Sequence, residues 1–383
     1  MLGLAHTGTG KTAAFVVPIL QRLLAKPRPG PRALIVAPTR ELAMQIHAEL
    51  KTLAQFTGVK AITIFGGVSQ GPQERGLRSR PDIIVACPGR LLDLMQQGLV
   101  KLNGVEVLVL DEADHMFDMG FLPDIKRILS ALPQQRQNLL FSATMPREVR
   151  GLADQTLRKP HTVQLNHGQP AETIEHALYP VQQSQKFNLL RHLMEDKEFK
   201  SAIVFLRTKH RAKRLAEQLD KAGHSAVALQ GNMTQGQRDR AMTGFRNGRF
   251  DVLVATDIAA RGIDVANISH VINFDLPNTP DAYTHRIGRT GRAECNGKAY
   301  TFVSAEDYPA VHAIERRLGS KIERREAPGF VTSKPPADAP LTLAAERRPR
   351  PGGFKPAFSE GPSRGRPRRT GGPRRRRNST HGR

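Results

Sequence analysis

The sequence contains no tryptophan, only two cysteines and 5% aromatic residues among its 383 residues. The two cysteines, Cys87 and Cys295, are too few for a disulfide framework or a zinc site, which fits a reducing compartment. No apolar run of about eighteen residues occurs, so the sequence predicts no membrane-spanning helix. The first residues do not form a charged and apolar leader, and we therefore expect a cytoplasmic protein.

Negative charge is also scarce. The formal net charge is +23, and residues 324–383 contribute +12 of it, so both parts of the chain are basic. This predicts a polyanionic partner, most commonly nucleic acid, although a basic surface that only aids solubility is the alternative. Since base stacking needs aromatic rings, the low aromatic content predicts little sequence specificity.

The order of apolar segments predicts an α/β protein. Short runs rich in β-branched residues alternate with amphipathic helical stretches, which is typical of parallel sheets covered on both faces. The predicted strands are 34–37, 62–65, 83–86, 107–110, 138–141, 202–206, 227–229, 252–255, 271–274 and 299–303. The predicted helices are 12–26, 41–57, 90–97, 123–132, 210–222, 235–247 and 309–318.

Two composition changes divide the chain. A polar stretch with Pro160, Gly168 and Pro170 separates two predicted α/β domains, 1–165 and 166–322. After that, proline and glycine dominate and arginines cluster at 364–369 and 374–377. Such a composition buries too little apolar area to offset chain entropy, so we predict that 323–383 is a disordered basic tail.

Residues 5–12, A-H-T-G-T-G-K-T, have the pattern of a phosphate-binding loop. They follow a short apolar stretch and lead into an Ala-rich helix start, which is the context that such a loop requires. The residues predicted to surround the phosphates are Thr7, Gly8, Thr9, Gly10, Lys11 and Thr12. Backbone N–H groups would bind the β-phosphate, Lys11 the β- and γ-phosphate oxygens, and the Thr12 hydroxyl Mg²⁺.

A second motif supports nucleotide hydrolysis. The apolar run 107–110 ends in Asp111-Glu112-Ala113-Asp114, and an acidic pair at the end of a buried strand is where P-loop enzymes hold their metal and polarise water. We expect Asp111 to hold Mg²⁺ and Glu112 to orient the attacking water. Each motif alone has an ordinary structural reading, a turn and an acidic strand end, but together they indicate a nucleoside triphosphatase.

The complete set of motifs resembles the DEAD-box family of ATP-dependent RNA helicases over residues 1 to about 320. Besides the two motifs above, the resemblance rests on 38–43 (P-T-R-E-L-A), Gly66-Gly67, 88–90 (P-G-R) and 142–144 (S-A-T). In the second half it rests on Val204-Phe205, Gln235-x-x-Arg238, 255–264 (A-T-D-I-A-A-R-G-I-D) and 285–292 (H-R-I-G-R-T-G-R).

That resemblance implies two tandem RecA-like parallel-sheet domains, ATP and Mg²⁺ as cofactors, and specific roles for residues. Catalysis is implied for Lys11, Asp111, Glu112, Arg289 and Arg292, with Arg289 and Arg292 as arginine fingers. Mg²⁺ binding is implied for Thr12 and Asp111, and nucleotide binding also for Gly262 and Asp264. Coupling between hydrolysis and the second domain is implied for Asp114, Ser142, Thr144 and His285.

RNA binding in this family is mostly to the sugar-phosphate backbone, which needs basic groups, hydroxyls and glycines. The corresponding residues are Thr39, Arg40, Gly67, Gly89, Arg90, Arg238 and Thr256. Residues 118–124 (D-M-G-F-L-P-D) and the arginine-rich tail look most like the RhlE-type bacterial group. Partners beyond RNA would be ribosomal or RNA-decay particles.

The sequence departs from the family at its front. The upstream segment with the glutamine motif that reads adenine is absent, so we expect weaker ATP binding and hypothesise that Met1 is an internal residue of a longer protein. The expected function is ATP-dependent local unwinding or remodelling of RNA. An RNA clamp or annealing chaperone with weak ATPase activity is the alternative, and a DNA helicase is a third reading.

Overall fold

The computed structural model describes residues 1–5, 9–165, 174–260, 265, 268–291 and 296–330, and these form two seven-stranded parallel sheets. Both sheets are flanked by helices, as the alternating sequence pattern predicts. No helix in these ranges is long and apolar enough to cross a membrane.

The first sheet has the order β3-β4-β2-β5-β6-β1-β7. Its strands are β1 (Leu2–Leu4), β2 (Ala33–Val36), β3 (Ala61–Ile64), β4 (Ile83–Ala86), β5 (Val107–Leu110), β6 (Gln137–Ser142) and β7 (Thr162–Gln164). Its helices are α1 (Lys11–Ala25), α2 (Arg40–Leu53), α3 (Gly71–Arg78), α4 (Pro88–Gln96), α5 (Ala113–Asp118), α6 (Leu122–Ser130) and α7 (Arg147–Thr156).

The second sheet has the order β10-β11-β9-β12-β13-β8-β14, which is the order of the first sheet with each strand seven places later. Its strands are β8 (Ile174–Pro180), β9 (Ala202–Phe205), β10 (Ala226–Leu229), β11 (Val252–Ala255), β12 (His270–Asn273), β13 (Gly297–Val303) and β14 (Glu323–Arg324). Its helices are α8 (Lys186–Met194), α9 (Lys209–Lys221), α10 (Gln235–Arg246), α11 (Asp257–Ala260), α12 (Pro280–Ile287) and α13 (Tyr308–Leu318), with short 3₁₀ helices at Gln183–Gln185 and Ala305–Asp307.

The apolar core lies on both faces of each sheet. In the first sheet, Phe15 of α1 and Ile46 of α2 pack on one face, while Leu91 of α4 and Ile128 of α6 pack on the other. The central strands β2, β4, β5, β9, β11 and β12 are buried along their whole length. Burial on both faces explains why these strands are continuous apolar runs rather than alternating ones.

Threonine caps fix the start of several helices. Thr39, Thr208 and Thr279 each accept a backbone hydrogen bond in the first turn of α2, α9 and α12, and Thr234 forms a capping box with Gln237 at α10. A cap of this kind contributes about 1 kcal/mol. Thr39 and Thr208 stand shortly after the ends of β2 and β9, and their caps therefore fix where the chain turns from the strand into the helix.

The fold extends beyond the residue at which the sequence predicts the tail to begin. Strand β14 pairs in parallel with β8, Arg325 forms an ion pair with Glu175, and Ala327 is buried. The predicted start of the tail at 323 is therefore too early, and at most the part after Phe330 can form it. Residues 331–383 lie outside the described residues, and the boundary at 165/166 stays a prediction.

Candidate active site

The phosphate-binding loop and the acidic motif lie at the same edge of the first sheet. The loop follows β1, the acidic motif follows β5, and β6 lies between these two strands. Gly10 has φ 80°, a left-handed conformation that glycine adopts without strain, and it precedes α1. The Lys11 Nζ donates to the Ala5 carbonyl at 2.8 Å, which holds the ammonium group against the loop. Thr7 and Gly8 lie outside the described residues.

Asp111 and Glu112 are both buried, and their environments set their pKa values apart. Burial raises the pKa of Asp111 to about 6, although Lys11 opposes the shift. Burial also disfavours the charged form of Glu112, but His115, Arg289 and Lys11 outweigh it and lower the pKa of Glu112 to about 2. Glu112 is therefore a carboxylate at any working pH. Its φ of 52° is uncommon for a residue with a side chain, and such strain is often found at active sites.

The last acidic residue of the motif connects the ends of two strands, β5 and β6. The Thr144 backbone N–H and hydroxyl donate to Asp114 Oδ2 at 2.8 and 2.9 Å, and the Asp114 N–H donates to Ser142 Oγ at 3.2 Å. Burial disfavours the ionised form of Asp114, but hydrogen bonds and nearby imidazoles hold its pKa well below its ordinary value. Asp114, Ser142 and Thr144 therefore form one buried polar group, and their role in coupling stays a prediction.

Two residues of α12 and its C-terminal turn bring the second sheet to this group. His285 Nε2 lies 3.5 Å from Asp114 Oδ2, and Arg289 is buried beside it. Lys11, Glu112, His285 and Arg289 line one small cavity, so the structure brings together predicted residues from both sheets. Arg292, Gly262 and Asp264 lie outside the described residues.

Sequence reasoning missed His115, which lies directly after the acidic motif. Its Nδ1 is 2.9 Å from Glu112 Oε2, and its Nε2 is 3.2 Å from His285 Nδ1. The signal available in the sequence was the spacing, because residues three apart on a helix lie on the same face. Glu112 and His115 have that spacing at the start of α5.

Charged pairs link the two sheets at a second place. Arg40 Nη2 lies 3.3 Å from Asp239 Oδ2, and Arg238 Nη2 lies 3.0 Å from Glu41 Oε1. Each sheet thus supplies one arginine and one adjacent carboxylate to a reciprocal arrangement, which we call the charge clasp (Arg40, Glu41, Arg238 and Asp239). Both arginines were predicted to contact RNA, and the structure engages both across the cleft.

The other residues predicted to bind RNA follow the ends of neighbouring strands. Thr39 follows β2 and caps α2, Gly67 follows β3 with φ 77°, Gly89 and Arg90 follow β4, and Thr256 follows β11. Arg90 contacts the Val68 carbonyl and Asp93. Among the described residues, the Arg40 Nε and Nη1 atoms have no hydrogen-bond partner although they are buried. Arg40 therefore has two donor nitrogens that no described residue uses.

Two family models match the chain. The model described as DEAD/DEAH box helicase matches residues 1–152, and the model described as Helicase conserved C-terminal domain matches residues 185–294.

Curated relatives and solved structures match most of the chain. The RNA helicase CshA of Bacillus subtilis is 42% identical over 329 residues, which are 86% of this chain and 66% of the relative. RhlB of Pseudomonas syringae is 44% identical over 337 residues and 85% of both chains. A structure of S. cerevisiae Dbp5 bound to RNA and ADP BeF3 has a TM-score of 0.77 and 33% identity, covering 86% of this chain and 85% of that one.

Proposed function

The chain belongs to the DEAD-box family of ATP-dependent RNA helicases, and we propose that it separates or remodels RNA locally through RNA-stimulated ATP hydrolysis. The observation that carries this proposal is the cavity shared by Lys11 and Glu112 of the first sheet with His285 and Arg289 of the second. Each sheet thus supplies some of the groups that act on one phosphoryl transfer. Hydrolysis therefore depends on closure of the cleft between the two sheets.

In the proposed reaction, Glu112 orients the attacking water, because its buried carboxylate is ionised and can accept a hydrogen bond from it. Lys11 contacts the terminal phosphates, and Arg289 neutralises charge that develops on the transferred group. Arg292, from the sequence motif, would be a second finger. The Thr12 hydroxyl and Asp111 carboxylate are oxygen donors that suit Mg²⁺, which would neutralise phosphate charge when bound.

RNA would bind across the edge where the strand ends of both sheets meet. Thr39, Arg40, Gly67, Gly89 and Arg90 of the first sheet, and Arg238 and Thr256 of the second, supply the hydroxyls, close-approach glycines and cations that suit a sugar-phosphate backbone. The two unused donors of Arg40 support this assignment, since a phosphate oxygen would satisfy them. Dbp5, whose structure is similar, is bound to RNA and a nucleotide analogue.

We expect the charge clasp to favour the RNA-binding arrangement. Reversing Glu41 to Arg places two arginines together, and RNA affinity with ADP–BeF3 should fall roughly tenfold, about 1.4 kcal/mol. The double variant Glu41→Arg/Arg238→Glu should recover only part of that loss, because the pair is re-formed while the Arg238 cation that suits RNA is replaced. Fluorescence anisotropy with labelled single-stranded RNA measures both. A double variant no better than the single would show that Arg238 acts on RNA and not on Glu41.

The arginine-rich tail would raise RNA affinity without sequence preference. A variant ending at Phe330 removes fourteen Arg/Lys and three Asp/Glu while keeping β14 and the buried Ala327. Its RNA affinity should depend less steeply on salt, because each phosphate contact contributes roughly 0.7 to the logarithmic slope on single strands. Binding at several salt concentrations measures this slope, and an unchanged slope would place RNA binding in the core alone.

The finer assignments rest on resemblance. We propose a RhlE-like subgroup, a cytoplasmic location, Mg²⁺ dependence and ribosomal or RNA-decay particles as partners.

Strand displacement tests the proposed function against the clamp alternative. With a short RNA duplex and ATP, we expect release of the displaced strand, and no release with ADP. Release that is equal with ATP and with ADP would instead favour an annealing or clamping protein.

A further inference from the structure

Four side chains form a continuous chain across the cleft. Glu112 Oε2 is 2.9 Å from His115 Nδ1, His115 Nε2 is 3.2 Å from His285 Nδ1, and His285 Nε2 is 3.5 Å from Asp114 Oδ2. The two imidazole rings are 4.7 Å apart and nearly perpendicular. Both ends of this chain are carboxylates of the acidic motif, and the rings between them come from different sheets.

The number of protons that this chain requires can be counted. Glu112 and Asp114 are ionised, so each can only accept, and the nitrogen that faces each must carry a proton. The contact between the two rings needs one proton more, because two bare nitrogens would repel each other. Two neutral imidazoles carry two protons together, whereas the three contacts need three. The pair therefore meets every contact only when it holds one excess proton.

The environment of His285 supports this count. The buried His285 Nε2 has no hydrogen-bond partner within normal distance among the described residues, and the Asp114 Oδ2 atom lies 3.5 Å from it. A bare nitrogen would place its lone pair against the carboxylate charge, whereas a protonated one is attracted to it.

Other charges facing the pair are of both signs. They are Lys11, Asp118, Asp257, Arg286 and Arg289. Arg286 is neutralised by a bidentate pair with Asp257. Arg289 opposes protonation of His115, while Glu112 and Asp114 favour it. The combined effect of the Glu112 and Asp114 carboxylates on the protonation of His115 is larger than the opposing effect of Arg289.

We propose that His115 is a positioning residue that shares one excess proton with His285, so that closing the cleft takes up a proton and holds the Glu112 carboxylate. This inference rests on the proposed function, because it assumes that the two sheets separate and close during turnover. Opening would leave His115 with Glu112 but remove His285 from Asp114. The open pair then needs only two protons.

The protonation of His115 sets the direction in which RNA affinity changes with pH. Burial disfavours the imidazolium, but Glu112 and Asp114 outweigh it and raise the pKa of His115 above its ordinary value. A raised pKa in the closed state means that protonation and closure favour each other, and that this stabilisation is lost as the pH rises through the closed-state pKa. RNA affinity with ADP–BeF3 should therefore fall as the pH rises above the ordinary histidine pKa of about 6.5, by at most tenfold per pH unit.

Two variants of His115 separate proton sharing from simple packing. In His115→Gln the amide can donate to Glu112 and accept from His285, and His285 must still carry two protons, so proton uptake is retained. In His115→Leu no group faces His285 Nδ1, a neutral His285 satisfies Asp114, and uptake is lost. His312→Gln, on the exposed face of α13, is the matched histidine control and should behave as the unmodified protein.

Calorimetry measures the number of protons that the protein takes up when it binds RNA. Single-stranded RNA is titrated into the full chain saturated with ADP–BeF3 at pH 7.5, in buffers of different ionisation enthalpy. We expect net proton uptake on binding by the unmodified protein, His115→Gln and His312→Gln, and close to none by His115→Leu.

The possible results have distinct meanings. RNA binding without any dependence on the buffer in the unmodified protein overturns the proton-sharing inference alone. Equal uptake in His115→Leu overturns it as well, because the proton then enters elsewhere. Absence of RNA binding overturns the proposed function, and the inference with it. If His115→Leu does not fold, the uptake by the unmodified protein and by His115→Gln decides.

Discussion

Glu112→Gln is expected to reduce RNA-stimulated ATP hydrolysis by about 10²- to 10⁴-fold, the usual contribution of a positioned acid–base group. The amide has nearly the shape of the carboxylate but lacks its charge. It therefore cannot accept a proton from the attacking water. Because the site keeps Lys11 and Thr12, binding of ATP and RNA should stay within a few-fold of the unmodified protein. Steady-state turnover and RNA anisotropy measure the two effects separately.

A control variant is available for this change. Glu148 lies exposed on α7, and Glu148→Gln removes the same charge outside the cleft, so it should turn over normally. If Glu112→Gln kept more than about a tenth of the activity, Glu112 would not be the group that acts on the water.

Arg289→Ala is expected to lower turnover by about 10³- to 10⁵-fold, the range for an arginine that neutralises charge in phosphoryl transfer. Arg289 is buried and follows α12, which packs with the second sheet, so we expect its charge to reach the nucleotide only when the two halves of the site meet. The effect should appear in kcat rather than in KM, because the charge that Arg289 neutralises develops in the transition state.

Two further variants sharpen this second prediction. Arg289→Lys keeps a cation without the planar fork and should recover only part of the loss. Arg316→Ala removes an exposed arginine of α13 and should leave turnover unchanged. A loss in Arg289→Ala confined to KM would indicate ground-state binding and contradict its role as an arginine finger.

Much of the fold could be predicted because its strands are buried on both faces. Runs such as Val107–Leu110 consist wholly of apolar residues and are recognisable without any partner. The site could be predicted for a related reason, since parallel strands end at one edge and polar motifs that follow them must meet there. The grouping of Asp114 with Ser142 and Thr144 is of this kind.

Other features depend on contacts that local sequence does not encode. Strand β14 has only two residues, both exposed, and it is defined by pairing with β8, nearly 150 residues earlier. The contact between His115 and His285 likewise joins residues 170 apart. A histidine after an acidic motif reads as an ordinary helical residue until the second sheet is placed against it.

The charge clasp shows the same limit. The sequence identifies Arg40 and Arg238 as cations suited to RNA, but not that Asp239 and Glu41 face them from the opposite sheet. Complementary charges adjacent in sequence are common on helix surfaces, so nothing in either segment alone indicates a pairing between them.

The most direct test of a hydrolytic site shared by the two sheets is steady-state ATP hydrolysis by residues 1–383, with and without single-stranded RNA. We expect turnover that rises with RNA and is lost in Glu112→Gln. Binding of RNA with no turnover, or turnover that RNA does not change, would contradict the central claim that the two sheets complete one hydrolytic site in response to RNA.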